Sequence, residues 1–187
     1  MIFTETPIKD ALIVELKTIE DNRGFFARAW CREEFSDHGH DIDIVQANVS
    51  FNKYQGTLRG MHMQKKPHEE TKIVSCTRGA VFDVLVDLRP SSPTFKQWYG
   101  TELTEDNHRM LVIPRGCAHG YQTLVDNSQV FYLVTESYAP NAEIGLLYSD
   151  PEIGISWPAP VKEVSDKDAN NMSFEDVYNT YLKTLVG

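Results

Sequence analysis

The sequence predicts an all-β fold, either a sandwich or a barrel, that ends in one short helix. Short segments rich in β-branched and aromatic residues recur along most of the chain, and turn-forming residues separate them. A helical hydrophobic pattern is clear only near the C-terminus. Because the β-like segments do not alternate with long helical patterns, we do not expect a parallel sheet built from βαβ units.

The predicted strands follow one another between residues 13 and 136. Turn residues bound them, for example Arg78-Gly79, Arg89-Pro90 and Asp126-Asn127. In chain order the predicted strands are 13–16, 44–51, 71–77, 81–88, 110–113, 121–124 and 130–136. Many short strands with few helices are typical of a sandwich or a barrel.

The predicted helix lies at the end of the chain. Its apolar residues follow three-and-four spacing at Phe174, Val177, Tyr178, Tyr181, Leu182 and Leu185. Ser173 and Asp176 have the spacing of a capping box, which places the start of the helix. A shorter helical turn is expected over residues 32–35.

The length of the chain indicates how many domains it forms, and its net charge argues against one class of protein. The chain has 187 residues, and at about 150 residues per domain we expect one domain over residues 1–187. Lys and Arg number 18 against 27 Asp and Glu, which gives a net charge of −9. This balance argues against a general nucleic-acid binder, which needs clustered cations.

The N-terminal segment and the cysteines bear on location. Glu5, Lys9 and Asp10 interrupt the first apolar stretch, so it lacks the order of a signal peptide, and no later run is long enough to span a bilayer. The three cysteines are Cys31, Cys76 and Cys117. Their odd number and wide spacing fit reduced thiols better than disulfides. We therefore expect a soluble, cytoplasmic protein without membrane partners.

The densest group of polar residues lies in the run RGMHMQ at 59–64. A histidine between two methionines, as His62 is, is more often a satisfied core residue than a catalytic one. The guanidinium of Arg59 nevertheless suits phosphate or carboxylate oxygens. Gly56 and Gly60 bracket the run and allow a ligand to approach the backbone. His62 and Arg59 are therefore the first site candidates.

Two predicted strands carry polar side chains on one face. Lys72 shares a face with Val74, so its ammonium either enters a barrel interior or protects an exposed edge strand. Gln46, Asn48 and Ser50 form a stripe of neutral hydrogen-bonding groups. Exposure to solvent is the default for such a stripe, although it also suits recognition of hydroxyls or of a base.

Four further polar residues fit an ordinary structural or surface role when each is considered alone. Tyr132 lies in the middle of a strand, where a tyrosine is usually structural and its hydroxyl is satisfied by a neighbour. His119 follows a turn and fits an ordinary surface histidine. Arg23 fits either a turn residue or an anion contact, and Asp168 fits a solvated loop charge.

The spacing around His62 resembles that of the cupin barrel, whose usual metal ligands are two histidines one residue apart, a glutamate and a later histidine. The matching positions here hold His62, Gln64, Lys72 and His119. A lysine ammonium has no lone pair to donate, and glutamine is a poor ligand for a divalent transition metal. We therefore expect a cupin pocket without a metal and without a cofactor.

Motifs in the order of one enzyme family extend over nearly the whole chain. They are DNRGFF (21–26), QANVS (46–50), LRGMHMQ (58–64), DVLVDLR (83–89), SPTF (92–95), IPRG (113–116), AHG (118–120), SDP (149–151) and GISWP (154–158). By these motifs the chain resembles the dTDP-4-dehydrorhamnose 3,5-epimerase family.

The resemblance implies a metal-free cupin jelly roll, normally a homodimer, that epimerises a nucleotide-linked 4-keto-6-deoxy sugar for deoxysugar or surface-polysaccharide biosynthesis. It implies that His62 is the catalytic base, Asp168 its carboxylate partner and Tyr132 the acid on the opposite face of the sugar. It implies substrate contacts at Arg23, Gln46, Asn48, Arg59, Lys72, His119, Glu143 and Lys167.

One departure from the family concerns the nucleotide. Arg28 stands where the family usually has a glutamate that contacts the nucleotide. We expect Arg28 to contact the substrate as well. The reversed charge leaves the base open between thymine in a changed pose and a different base.

The residue types fit the implied chemistry. A ketone at C4 acidifies the hydrogens on C3 and C5, so a base must remove one, and fixed cations or hydrogen-bond donors must stabilise the enolate oxygen. Whether C3, C5 or both are inverted stays open. The alternatives are a 3,4-ketoisomerase on the same scaffold, a non-catalytic nucleotide-sugar binding module and, least favoured, a metal-dependent cupin oxygenase.

Overall fold

The computed structural model describes residues 1–186, and the all-β prediction is confirmed in this part of the chain. The strands are β1 (Ile2–Glu5), β2 (Leu12–Glu15), β3 (Ile19–Asp21), β4 (Gly24–Phe26), β5 (Gln46–Asn52), β6 (Thr57–Gln64), β7 (Lys72–Arg78), β8 (Ala80–Asp87), β9 (Trp98–Thr104), β10 (Arg109–Ile113), β11 (Cys117–Thr123), β12 (Ser128–Val134), β13 (Glu143–Gly145) and β14 (Glu163–Val164). The helices are α1 (Arg32–Asp37), α2 (Asp166–Ala169) and α3 (Phe174–Thr180), with 3-10 turns at Pro140–Ala142 and Leu182–Leu185.

Two sheets form the body of the molecule. The first has the strand order β1-β2-β10-β7-β12-β5, and the second has the order β13-β6-β11-β8-β9, with β14 parallel to β6. The other neighbours within each sheet pair antiparallel. Strands β3 and β4 form a separate hairpin.

The main core lies between the two sheets. Val74 and Leu111 of the first sheet pack with Leu85, Leu103 and other buried residues of the second. The period of two in a strand therefore sends alternate side chains into this shared interior. The same alternation directs polar residues at one part of the interior into the site described below.

Parts of the outer faces of both sheets are also covered. Helix α3 packs Phe174 and Val177 against the second sheet, next to Met61 of β6. Helix α1 packs Phe35 against Val112 and other residues on the outer face of the first sheet. Because both faces of the central strands are buried, those strands have nearly continuous apolar sequences, which is the pattern that predicted them.

The differences from the predicted elements have local causes. The strands that were not predicted are β1, β3, β4, β6, β9, β13 and β14. Of these, β6 carries Arg59, Gly60 and His62 in place of a regular apolar alternation. Strand β11 begins at Cys117, several residues before the predicted 121–124. Helix α3 starts as predicted, with the Ser173 hydroxyl accepting from the Asp176 N–H at 3.1 Å, but ends at Thr180. The backbone at the next residue leaves the helical region, and a 3-10 turn follows.

No helix within residues 1–186 has the length and apolar character needed to cross a lipid bilayer.

Candidate active site

A pocket of about 310 Å³ brings together most of the residues predicted to act in catalysis. It is lined by Ser50, Arg59, His62, Lys72, His119, Gly120, Tyr121, Tyr132, Ser165, Lys167 and Asp168. A neighbouring pocket of about 320 Å³ shares Lys72 and Tyr132 and adds Gln46, Asn48, Glu70, Val134, Glu136 and Tyr138. A larger crevice of about 510 Å³, near Pro7 and His40, contains none of the predicted site residues among residues 1–186.

Asp168 supports the imidazole of His62. Its Oδ1 lies 2.7 Å from His62 Nε2, and its Oδ2 accepts the N–H of Gly60 at 3.1 Å. The carboxylate is buried on α2, which the hydroxyl of Ser165 caps. The interpretation of Asp168 as a solvated loop charge was therefore wrong. Burial raises the pKa of Asp168, but the hydrogen bonds from His62 and Gly60 outweigh it and the pKa falls below its usual value.

The ionised carboxylate determines which nitrogen of His62 can act. An acceptor at 2.7 Å requires Nε2 to carry a proton, so the lone pair of the neutral ring is at Nδ1. Nδ1 makes no hydrogen bond with any of residues 1–186, and it is therefore available to a ligand.

His119 forms a second histidine–carboxylate pair beside the first. It stands directly opposite His62 in the register of β6 and β11, and its Nε2 lies 2.8 Å from Oδ1 of Asp83. Asp83 is fully buried, and burial raises its pKa while His119 opposes the shift. Asp83 was not among the site residues predicted from the sequence. A charged residue within the apolar strand 81–88 was the available signal.

Close approach of the backbones of β6 and β11 fixes the positions of these histidines. Gly60 has a φ of +118°, and a Cβ on it would lie 2.5 Å from Gly120 Cα and 2.7 Å from His119 O. The strand pairing is irregular between His119 and Tyr121. Glycine at position 60 therefore allows the close contact on which the histidine geometry depends.

Lys72 and Tyr132 reach the pocket from the first sheet. Strand β7 lies between β10 and β12, so the interpretation of Lys72 as an edge-strand residue was wrong and the interior one is confirmed. Lys72 forms an ion pair with Glu70, which the sequence analysis missed. The Tyr132 hydroxyl makes no hydrogen bond within the described part of the chain, contrary to the expectation for a structural tyrosine. Burial and, secondarily, the charge of Glu70 raise the pKa of Tyr132.

Arg59 is held by a polar network. Its Nε donates to Asn52 Oδ1 at 2.7 Å. The amide of Asn52 donates to the Tyr121 hydroxyl at 3.2 Å, and that hydroxyl donates to Ser50 at 2.8 Å. The terminal amino groups of Arg59 make no hydrogen bonds within residues 1–186, so they are available to an anion.

The polar stripe of β5 faces inward. Gln46 and Asn48 line the neighbouring pocket, and Gln46 Nε2 donates to Asn48 Oδ1 at 2.8 Å. On the other face, Val49 is 61% exposed and Phe51 is 44% exposed. The default interpretation of the stripe as solvent-facing was therefore wrong, and the apolar face is the exposed one.

Glu143 and Lys167 form a charged group at the rim. Glu143 Oε1 lies 3.9 Å from His62 Nε2 and forms an ion pair with Lys167, while the Tyr138 hydroxyl donates to Glu143 Oε2 at 2.7 Å. Burial raises the pKa of Glu143, but the hydrogen bonds from Lys167 and Tyr138 outweigh it and lower the pKa overall. Glu143 and Lys167, which were both predicted to contact the substrate, therefore lie beside His62.

Arg23 and Arg28 lie outside the pocket of their own chain. Arg23 is on the β3–β4 hairpin with its side chain 89% exposed and paired with Asp21. The side chain of Arg28 is 61% exposed and lies 2.7 Å from Glu34. A contact with substrate requires a second copy of the chain or a movement of the hairpin.

The four cupin positions do not fit a metal. His62 and His119 are each bonded to a carboxylate of their own, and Lys72 is an ion-paired cation. The side chain of Gln64 is tied to Glu70 Oε2 at 2.6 Å and to the Ala139 N–H at 2.6 Å. No group of three or more potential metal-ligating side chains occurs in residues 1–186. We derive no step through a metal.

Comparisons with known proteins identify the family. The family model of dTDP-4-dehydrorhamnose 3,5-epimerase matches residues 5–176. The enzyme of that name from Shigella flexneri is 42% identical over 173 residues, which cover 92% of this chain and 95% of the relative.

Solved structures agree. A crystal structure of dTDP-4-dehydrorhamnose 3,5-epimerase from Bacillus anthracis str. Ames with TDP and PPi bound has a TM-score of 0.89 at 42% identity, covering 92% of this chain and 98% of that one. The structure of ChmJ, a 3'-monoepimerase from Streptomyces bikiniensis in complex with dTDP-quinovose, has a TM-score of 0.87 at 31% identity. The match covers 95% of this chain and 90% of ChmJ.

The expected cupin jelly roll and the expected isomerase class are confirmed by these relatives. The epimerase interpretation is supported over the alternatives. The chain belongs to the dTDP-4-dehydrorhamnose 3,5-epimerase family.

Proposed function

We propose that this chain epimerises a dTDP-linked 4-keto-6-deoxy sugar by enolisation and reprotonation from the opposite face. One observation carries the proposal: His62 of β6 and Tyr132 of β12 line one pocket from different sheets. A base and an acid on facing walls are what inversion at a carbon next to a ketone requires. We assign this activity to one domain over residues 1–187.

His62 removes the proton. Its Nδ1 takes the hydrogen on C3 or C5, and the imidazolium that forms is stabilised by the ionised Asp168. Glu143 lies 3.9 Å from the ring, but its ion pair with Lys167 offsets much of its charge there.

Lys72 and His119 stabilise the enolate. Both line the pocket. Lys72 can donate a hydrogen bond to the oxygen on C4 as negative charge develops there, and His119 can donate from Nδ1 when the proton shared by its Nε2 and the buried Asp83 lies on Asp83, whose pKa burial raises. Asp83 fixes the orientation of His119 from behind. These donors take the place of the cation that a metal-dependent cupin would present.

Tyr132 returns a proton on the other face. Its hydroxyl has no hydrogen-bond partner among residues 1–186, and its raised pKa keeps it protonated near neutral pH. Each inversion leaves a proton on His62 and a phenolate at Tyr132, so His62 must release its proton to solvent and Tyr132 must take one up before the next cycle. A second cycle at the other carbon then gives double inversion, whereas one cycle gives a monoepimerase.

Arg59 and Lys167 hold the diphosphate. Arg59 has free amino groups, and Lys167 stands at the rim of the same pocket. Two cations at the site suit a dianion although the whole chain carries a net charge of −9. Gln46 and Asn48 contact the substrate from the neighbouring pocket.

The protein acts as a homodimer in this proposal. Strand β5 is an edge strand with exposed Val49 and Phe51, and the hairpin exposes Phe26 at 72%. Exposed apolar surface on an unpaired edge is typical of an interface. A partner's hairpin laid over the pocket would bring its Arg23 and Arg28 to the nucleotide.

A cytoplasmic location is part of the proposal. All three cysteines lack a disulfide within the described residues, and Cys76 and Cys117 are buried. Reduced, buried thiols suit a reducing compartment.

Proton NMR in deuterated buffer tests the activity. With dTDP-4-keto-6-deoxyglucose, we expect enzyme-dependent loss of the signals of the hydrogens on C3 and C5. Exchange at one carbon only would make the protein a monoepimerase or a ketoisomerase, and the product spectrum separates these two. Parallel samples with the GDP- and CDP-linked sugars test the base. Activity with either of them and not with dTDP would overturn the assignment of the nucleotide.

A further inference from the structure

Glu70 is held at both carboxylate oxygens behind the pocket. Its side chain is 8% exposed, and one oxygen forms an ion pair with Lys72, whose side chain is 12% exposed. The other oxygen accepts from Gln64 Nε2 at 2.6 Å. Gln64 is itself buried and also bonds the backbone of the 136–139 segment at Ser137 and Ala139. Glu70 therefore has little freedom to leave Lys72.

Glu70, Lys72 and Tyr132 line one pocket. In the pairing of β7 with β12, Tyr132 stands opposite Val74 and Lys72 opposite Val134, so Lys72 and Tyr132 are diagonal neighbours on the same face of the sheet. The other charged or titratable groups around Tyr132 in the two adjoining pockets are Arg59, His62, His119, Tyr121, Glu136, Tyr138, Lys167 and Asp168. His62 and His119 each have a carboxylate partner, and Lys167 pairs with Glu143. Of the lysines and arginines that line these two pockets, Lys72 is the one on the same sheet as Tyr132, and Glu70 is its ion-pair partner.

An unpaired Lys72 would favour the wrong form of the acid. A buried ammonium beside a phenol stabilises the phenolate, which cannot donate a proton. A carboxylate on the ammonium cancels most of that field at Tyr132. It also fixes the direction of the ammonium, which must meet the enolate oxygen.

We propose that Glu70 is a positioning residue that holds Lys72 toward the enolate oxygen and keeps Tyr132 protonated up to a higher pH. Its role in turnover rests on the proposed epimerase function. The effect of Glu70 on the ionisation of Tyr132 does not rest on that function, because it exists in the protein without substrate.

A titration without substrate tests the electrostatic part. Phenolate absorbance is followed against pH in the full-length protein, and subtracting the matching Tyr132→Phe variant isolates Tyr132. We expect Glu70→Gln to lower the pH at which Tyr132 ionises by roughly one unit. Glu69→Gln is the matched control, since Glu69 lines a different cleft, and it should leave this titration unchanged. An unchanged titration in Glu70→Gln would overturn the proposal.

Turnover tests the positioning part. In Glu70→Gln the alkaline limb of kcat should move to lower pH with the titration, and kcat at neutral pH should fall by about 10- to 100-fold. Binding of TDP should stay as in the wild-type protein. A lower kcat with an unmoved alkaline limb would mean a merely structural role and would contradict the proposal.

Glu70→Asp gives a second test that does not depend on the folding of the glutamine variant. It keeps the charge but withdraws the carboxylate, so we expect the wild-type titration of Tyr132 with a reduced kcat. A shift of the Tyr132 titration in this variant would count against the proposal. If the wild-type protein turns over no sugar, the proposed function fails, while the titration still decides the electrostatic role of Glu70.

Discussion

Asp168 Oδ1 lies 2.7 Å from His62 Nε2, and the other oxygen of the same carboxylate accepts the N–H of Gly60 at 3.1 Å. One buried side chain thus fixes both the imidazole ring and the strand that carries it. The His62 imidazole cannot rotate without breaking a charged hydrogen bond, and that bond leaves the lone pair of the neutral ring on Nδ1. The pair joins α2 to β6 across 106 residues of sequence.

Asp168→Asn should lower kcat by about 10²- to 10⁴-fold, because an amide does not hold the tautomer or stabilise the imidazolium. Binding of TDP should change little. Asp166→Asn on the same short helix is the control, since its exposed side chain does not contact His62. Steady-state kinetics with calorimetric TDP binding makes the measurement. A kcat within a few-fold of the wild-type value would remove Asp168 from the mechanism.

The ionisation of Asp87 should make the free energy of unfolding depend on pH in the acid range. Burial raises its pKa, but hydrogen bonds from Arg89, Ser92 and Thr94 outweigh burial and lower the pKa below the usual 3.8. A carboxylate with a lowered folded-state pKa stabilises the fold above its unfolded-state pKa and loses that contribution as pH falls through the folded-state value. Asp87→Asn should therefore lower the free energy of unfolding by about 3 kcal/mol at neutral pH.

The difference between wild type and Asp87→Asn should shrink below pH 3.8, the usual carboxyl value from which the folded-state pKa is lowered. Denaturant unfolding at a series of pH values measures this. Asp106→Asn, at an exposed position, is the control and should follow the wild-type curve. A difference that is the same at neutral and at acid pH would show that the charge of Asp87 is not what stabilises the fold.

Gly60→Ala should destabilise the protein more than its backbone angle alone requires. The new Cβ would lie 2.5 Å from Gly120 Cα, so β6 and β11 must separate. We expect a loss of about 2–5 kcal/mol from strain and overpacking together. Gly39 also has a positive φ, of +83°, but an added Cβ would meet nothing within 4 Å. Gly39→Ala should therefore lower the free energy of unfolding by only about 1 kcal/mol. Equal losses in the two variants would refute the close-contact argument.

Val49→Lys should weaken the proposed homodimer. Val49 lies on the exposed face of the edge strand β5, and a lysine there would be desolvated by a partner at a cost of about 2 kcal/mol or more. Ile2→Lys is the matched control, because Ile2 is also exposed but lies on β1 at the opposite edge of the sheet. Sedimentation velocity compares the two. Dissociation by the Ile2 variant and not by the Val49 variant would place the interface elsewhere.

The sequence predicted the strands that are rich in β-branched and aromatic residues and the start of the helix with a clear three-and-four apolar spacing. It did not predict β6, because Arg59, Gly60 and His62 replace the alternation where the strand enters the site. It could not place Asp168 from its neighbours, since the partner that buries it is distant in the chain. The sequence also could not predict which face of β5 turns inward. An edge strand with a polar inner face has the same alternation as one with a polar outer face.

The most direct test of the account separates exchange from inversion in Tyr132→Phe. The variant protein and dTDP-4-keto-6-deoxyglucose are mixed in deuterated buffer, and proton NMR follows both the loss of the hydrogens on C3 and C5 and the configuration at each carbon. If His62 is the base and Tyr132 the opposing acid, His62 still exchanges the proton on its own face, so deuterium enters with retention and epimerised product falls by about 10²-fold or more. His62→Asn, in contrast, should abolish exchange altogether. Undiminished inversion in the tyrosine variant would contradict the assignment of the two faces.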